Sequence, residues 1–140
     1  MRGNLLSVTT PSPDGGTTAG SVTSFTYNPN GTLKTITDPL SRVTTINYCD
    51  TGMANCPVGM TQSIQDANGN VTVYTYDQRG NRLTVQDPVN TNATSFTYDP
   101  MNRISSVMYP DSSSVQFHYD NRGRRDYIID QNGKRTTYVL

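Results

Sequence analysis

The chain has 140 residues, 33% hydrophobic and 16% charged, and its 11 basic and 11 acidic residues cancel. So few apolar residues exclude a conventional oily core, and zero formal charge removes the electrostatic footprint that nucleic acid or an anionic membrane demands. No apolar run approaches the roughly 20 residues that span a bilayer, and no basic and apolar leader follows Met1.

Taken in chain order, the sequence repeats. Arg2-Gly3-Asn4-Leu5-Leu6-Ser7-Val8 lies over Arg79-Gly80-Asn81-Arg82-Leu83-Thr84-Val85, so the chain opens just inside a unit, with Met1 two positions beyond a missing anchor. Five complete anchor pairs follow: Phe25 with Tyr27, Ile46 with Tyr48, Tyr74 with Tyr76, Phe96 with Tyr98, and Phe117 with Tyr119. Their tyrosines are 21, 28, 22 and 21 residues apart. Tyr138 and Leu140 have the same spacing and make a sixth pair. Residues i and i+2 of a strand share a face, so each pair projects inward together.

Each unit continues in the same way. Four residues past the anchor stands a turn residue, Gly31, Gly80, Asn102 or Gly123, and nine past it a β-branched one, Ile36, Val85, Val107 or Ile128. Asp38, Asp87 and Asp130 close the second strand, with Tyr109 the exception. The unit at Tyr48 fits after a seven-residue insertion, with Gly59, Ile64 and Asp66 in these roles. Gly and Asn supply the positive φ of tight hairpins, Asx side chains cap turn amides, and Pro29, Pro39, Pro88, Pro100 and Pro110 fall where a missing N–H costs nothing. The strands are rich in Thr, Val, Ile and Tyr, and no helical period competes.

The expected fold is all-β: one array over residues 1–140 of about six tandem hairpins, some twelve short strands in a continuous antiparallel sheet. A hairpin alone is marginal in water, so neighbours must stabilise one another, and twist accumulated over so wide a sheet should coil it into a strip or spiral shell lined by aromatic rows. Nine of the aromatic residues are Tyr and none is Trp, so the rings carry hydroxyls that need partners.

Tyr76-Asp77-Gln78-Arg79-Gly80-Asn81-Arg82 and Tyr119-Asp120-Asn121-Arg122-Gly123-Arg124 resemble the Y-D-x-x-G-R motif of the RHS/YD-repeat proteins. Tyr98-Asp99-Pro100-Met101-Asn102-Arg103 is similar with Asn for Gly, Tyr27-Asn28-Pro29-Asn30-Gly31 has Asn for Asp, and Tyr48-Cys49-Asp50 departs further. The resemblance covers essentially the whole chain. It implies a β-strip wound into a hollow shell, as in bacterial RHS toxins, insecticidal toxin complexes and extracellular teneurins, and a secreted or cell-surface location. In the bacterial proteins the shell encloses a toxic domain. Six repeats suffice only for an arc, or for a subunit that assembles.

Few residues invite chemistry. Cys49 and Cys56 bracket the inserted loop at 49–57; a disulfide is the first reading and free thiols the second, while zinc lacks ligands. His118 lies near Ser112, Ser113 and Ser114, but its parity sets it on the outer face, and nothing marks an oxyanion hole. Arg122, Arg124 and Arg125 lie among Asp120, Asp126 and Asp130 and read as a solvated face. The repeated Asp residues are explained by turn capping without calcium. In RHS toxins an Asp-Pro-x-Gly type motif is associated with self-cleavage; Asp38-Pro39-Leu40-Ser41 matches it in part, mid-array, and reads as a turn. The expectation is therefore a structural module with no enzyme activity, cofactor or metal. Its partners are neighbouring repeats of the same or another chain, in a head-to-tail oligomer or filament, and an enclosed toxin domain in a parent protein. The alternative is a carbohydrate- or receptor-binding adhesion module using Tyr109 and Tyr127.

Overall fold

The computed structural model describes residues 3–12, 14–16 and 18–139; Met1 and the anchor position at Leu140 lie outside them. The described residues form twelve strands and no helix: β1 (Ser7–Thr9), β2 (Val22–Tyr27), β3 (Leu33–Thr37), β4 (Val43–Tyr48), β5 (Thr61–Gln65), β6 (Val71–Tyr76), β7 (Arg82–Gln86), β8 (Thr94–Tyr98), β9 (Ile104–Met108), β10 (Ser114–Tyr119), β11 (Arg125–Ile129) and β12 (Arg135–Thr137). Strand order follows the chain, and the pairing is antiparallel. The fold is all-β and built of tandem hairpins.

Two compact units divide the chain. One runs up to Tyr48 and includes Thr61–Val71; the other holds Cys49–Met60 and continues from Thr72. In the first, β2 and β3 pair through Ser24↔Thr37, Phe25↔Ile36, Thr26↔Thr35 and Tyr27↔Leu33, with the register shifting between Thr26 and Tyr27. β4 and β5 repeat this through Thr45↔Gln65, Ile46↔Ile64, Asn47↔Ser63 and Tyr48↔Thr61. In the second unit β6 with β7, β8 with β9 and β10 with β11 do the same, shifting at Tyr76, Tyr98 and Tyr119. Every anchor tyrosine thus stands at a bulge, where two residues oppose one and the strand twists more strongly.

The turns explain the bulges. At residues 28–32, 38–42, 66–70, 77–81, 99–103, 109–113, 120–124 and 130–134 the first N–H donates to the fifth carbonyl, and the fourth N–H to the first carbonyl. The fourth residue has positive φ in each: Gly31, Ser41, Gly69, Gly80, Asn102, Ser112, Gly123 and Gly133. This is a type I turn closed by a left-handed residue, which gives a bulged hairpin. The same turn serves within repeats and between them. Pro29, Pro39, Pro100 and Pro110 occupy its second position, where φ near −65° is wanted and no ladder N–H is lost.

Burial is shallow. Phe25 with Ile36, Ile46 with Ile64, Tyr74 with Val85, Phe96 with Val107 and Phe117 with Ile128 form cross-strand pairs on the anchor face, all half-buried. Among the described residues the buried apolar cluster is Cys49, Cys56 and Tyr76, with Tyr74 packed against it. Tyr138 lies past β12 and is 39% exposed, unlike Tyr74, its counterpart within β6. Its N–H donates to the Asp126 carbonyl at 2.7 Å.

A Cβ at Gly123 (φ 81°) would stand 3.0 Å from Arg103 Nη1, whereas one at Gly133 (φ 76°) meets nothing within 4 Å. Gly133→Ala should therefore show the left-handed penalty alone, roughly 1 kcal/mol. Gly123→Ala should cost more because Arg103 must also shift. Urea unfolding of both variants checks the ranking.

Candidate functional site

The aspartate of the repeat holds its turn together with both carboxylate oxygens. Oδ1 of Asp38, Asp66, Asp77, Asp99, Asp120 and Asp130 accepts the N–H groups two and four residues on, at distances such as 2.9 and 3.0 Å for Leu40 and Arg42. Oδ2 takes the side chain of the fifth turn residue. Arg42, Arg103 and Arg124 give it both Nε and Nη2, and Asn70 and Asn81 give Nδ2. These donors hold the carboxyls of Asp38, Asp66, Asp77, Asp99 and Asp120 below the ordinary Asp range. The side chains of Arg42, Asn70 and Asn81 are the largest cause at Asp38, Asp66 and Asp77, and the backbone N–H of Arg103 and Arg124 at Asp99 and Asp120.

Two turns lack the leading Asp, and the cap moves two positions along. Asn30 Oδ1 accepts the Thr32 N–H and hydroxyl, and Asp111 Oδ1 accepts those of Ser113. The hydrogen-bonding need of the turn is constant while the residue meeting it changes.

At three seams between repeats the hydroxyl of an anchor tyrosine, Tyr27, Tyr98 or Tyr119, donates across to the preceding repeat. Between β9 and β10 the ladder runs through Val115↔Val107 to Gln116↔Ser106, and beyond it Tyr119 Oη donates to the Ile104 carbonyl at 3.0 Å. Tyr98 Oη donates to the Arg82 carbonyl at 2.8 Å, beyond the two-residue ladder of β7 and β8. Tyr27 Oη reaches the Leu5 carbonyl at 2.8 Å in the same way. Arg82 and Ile104 are each the sixth residue after the preceding anchor, Tyr76 and Tyr98. Burial pushes the Tyr98 phenol up, which keeps the donating proton in place. Arg103, paired with Asp99, also lies over the Tyr119 ring at 4.2 Å, so it links one turn to the next anchor.

The opposite face carries a polar cross-strand pair just before each anchor. Thr26 and Thr35 hydroxyls are 2.6 Å apart, as are Thr75 and Thr84; Asn47 donates to Ser63 at 3.1 Å, and Thr97 meets Ser105 at 2.9 Å. His118 occupies the same position. Its Nδ1 lies 2.7 Å from Asp126 Oδ1, which holds the Asp126 carboxyl below its usual range.

The insertion keeps the turn's outer frame. Cys49 N–H donates to the Met60 carbonyl at 2.8 Å and Gly59 N–H to the Cys49 carbonyl at 3.0 Å, so Cys49 and Gly59 stand where Asp77 and Gly80 stand in the next repeat. Cys49 is disulfide-bonded to Cys56, with Cα atoms 5.3 Å apart. The loop then folds onto β6, where Asn55 accepts the Tyr76 N–H at 2.7 Å, and Tyr76 is left 6% exposed.

The teneurin YD-shell family model matches residues 1–139. The chain belongs to that family. No curated protein matches this YD-shell chain. Among solved structures it is similar to TcdB2-TccC3-Cdc42 (14% identity, TM-score 0.48) and to TcdB2-TccC3 (16%, 0.46), covering 77% of this chain in both. A Photorhabdus luminescens Tc holotoxin pore is similar at 16% identity and TM-score 0.45 over 77% of this chain. The chain spans 7% of the length of each of these proteins.

Other candidate residues of this YD-shell chain stand apart. Tyr127 is stacked by His118 from β10, with ring centroids 4.4 Å apart, and Arg135 from β12 lies 3.7 Å from its centroid. Tyr109 is half-buried and opens the turn that ends at Ser113. Asp38-Pro39-Leu40-Ser41 is one of the eight regular turns. Among the described residues no three His, Cys, Asp or Glu side chains converge as a metal site would require.

Sequence reasoning gave most of the turn positions but missed the acceptors of the tyrosine hydroxyls, the Asn55 contact and the His118 partner. Tyr98→Phe keeps the ring and leaves the Arg82 carbonyl without that donor; the expected loss is about 1 kcal/mol in urea unfolding. Cys49→Ser with Cys56→Ser should cost about 2–3 kcal/mol by the loop-entropy estimate and raise hydrogen exchange at the Tyr76 amide. Unchanged exchange there would show that the loop holds β6 without the bridge.

Proposed function

We propose that this chain is a structural segment of a secreted or surface YD shell, a single array that lengthens a β-wall enclosing or scaffolding a partner domain, such as a toxin in a parent protein. One observation carries this reading. The tyrosine hydroxyl meets the same backbone position of the preceding repeat at Leu5, Arg82 and Ile104, so the polar chemistry is spent on joining repeat to repeat. Family membership supports it, as does the commitment of the carboxylates to their own turns. The disulfide favours an oxidising compartment.

In this proposal the wall grows at its edges. β1 and β12 stand at the two ends of the strand order, with residues exposed along both. Unpaired edge groups are templates for another strand. Further repeats, of the same or another chain, are the partners that fit them.

Light scattering over a concentration series tests the edges. The mass should rise with concentration, and Val8→Lys with Thr136→Lys should abolish the rise, since edge lysines block strand addition. A strictly monodisperse monomer at every concentration would remove edge-to-edge growth from the proposal.

A further inference from the structure

Three Asn-x-Thr triplets occur in the chain: Asn30-Gly31-Thr32, Asn70-Val71-Thr72 and Asn92-Ala93-Thr94. Such triplets accept N-linked glycans on the surfaces of secreted proteins. All three asparagines are exposed, so accessibility does not choose among them. The side-chain amide nitrogen does.

Nδ2 of Asn70 donates to Asp66 Oδ2 at 2.9 Å, part of the cap that closes the turn before β6. Nδ2 of Asn92 donates to the Pro110 carbonyl at 3.1 Å. A sugar on either nitrogen removes one of its two hydrogens and must find room beside the acceptor, in competition with a bond the fold uses. Asn30 differs. Its Oδ1 accepts the Thr32 N–H at 3.1 Å and the Thr32 hydroxyl at 2.8 Å, while among the described residues its Nδ2 has no hydrogen-bond partner. With the oxygen tied into the turn, the nitrogen is left for solvent. Gly31, at φ 88°, adds no side chain beside it.

We propose that Asn30 is the N-glycan acceptor of this chain, a claim that rests on the secreted reading above. The donor class is an oligosaccharide on a polyprenyl pyrophosphate. Asn30 Nδ2 forms a bond to the anomeric carbon, the bond from that carbon to the pyrophosphate oxygen breaks, the lipid pyrophosphate leaves with the electron pair, and the amide gives up one proton. No oxidant or reductant is involved. The product keeps the Oδ1 contacts that hold the turn between β2 and β3, so the folded hairpin accommodates the sugar without losing a hydrogen bond.

The test is expression of the full chain behind a secretory leader in a eukaryotic host, followed by glycopeptide mapping with and without peptide N-glycosidase. Asn30 should be occupied. Asn30→Gln and Thr32→Ala should each remove that glycan, and Thr32→Ser should restore it. An empty Asn30 overturns the proposal, whether the sugar is found on Asn70, on Asn92 or nowhere. If the chain is retained inside the cell, mapping of the microsomal fraction gives the same decision. An empty Asn30 on folded, secreted chain sinks the acceptor alone, because the structural reading is judged separately by edge association.

Discussion

A bulged hairpin cannot keep its ladder to the end, and the tyrosine hydroxyl is what replaces the missing rungs at the seam between repeats. The left-handed fourth turn residue forces two residues to face one at the anchor, as at Tyr98 and Tyr119. Ladder bonding to the preceding repeat then stops short of the turn, and a long side chain with a donor at its tip spans the gap to Arg82 or Ile104. Phenylalanine would fill the same space but leave the carbonyl without this donor.

The turn supplies the second half of the design. Because anchor face and opposite face are both only partly covered, little stability comes from burial, and the ends of the strands must be fixed by polar contacts. Asp with Arg or Asn at the fifth position meets this need at 38–42, 66–70, 77–81, 99–103 and 120–124. Where a longer loop replaces the tight turn, a carboxylate two bonds from the backbone can no longer span it, and the Cys49–Cys56 bridge takes over. The better-covered Tyr76 is a by-product of that loop folding back.

Function in such a protein is a matter of repetition. His118 shows why isolated residues mislead: in sequence it invites a catalytic comparison with nearby serines, yet it stands where Thr26, Asn47, Thr75 and Thr97 stand and does the same cross-strand job with Asp126. Its stacking on Tyr127, with Arg135 beyond, extends that job over three strands.

Much of this is legible in the sequence. The period of the anchors, the parity of each pair, the prolines at turn positions and the seven-residue insertion ending at Gly59 are local facts, because strand alternation and turn chemistry are set by neighbouring residues. Other features were beyond it. That Ser41 and Ser112 would adopt the left-handed conformation is not written in serine; the hydrogen-bonded frame of the turn imposes it. The sequence by itself determined the all-β repeat, its strands and most of its turns. Only the tertiary structure decided that Tyr98 would find Arg82, that Asn55 would cap Tyr76 and that Asn30 alone among three acceptor triplets would keep its amide nitrogen unengaged. Those outcomes depend on which atoms of different strands arrive within hydrogen-bonding distance, and that is fixed by register and bulge rather than by any residue's own preference.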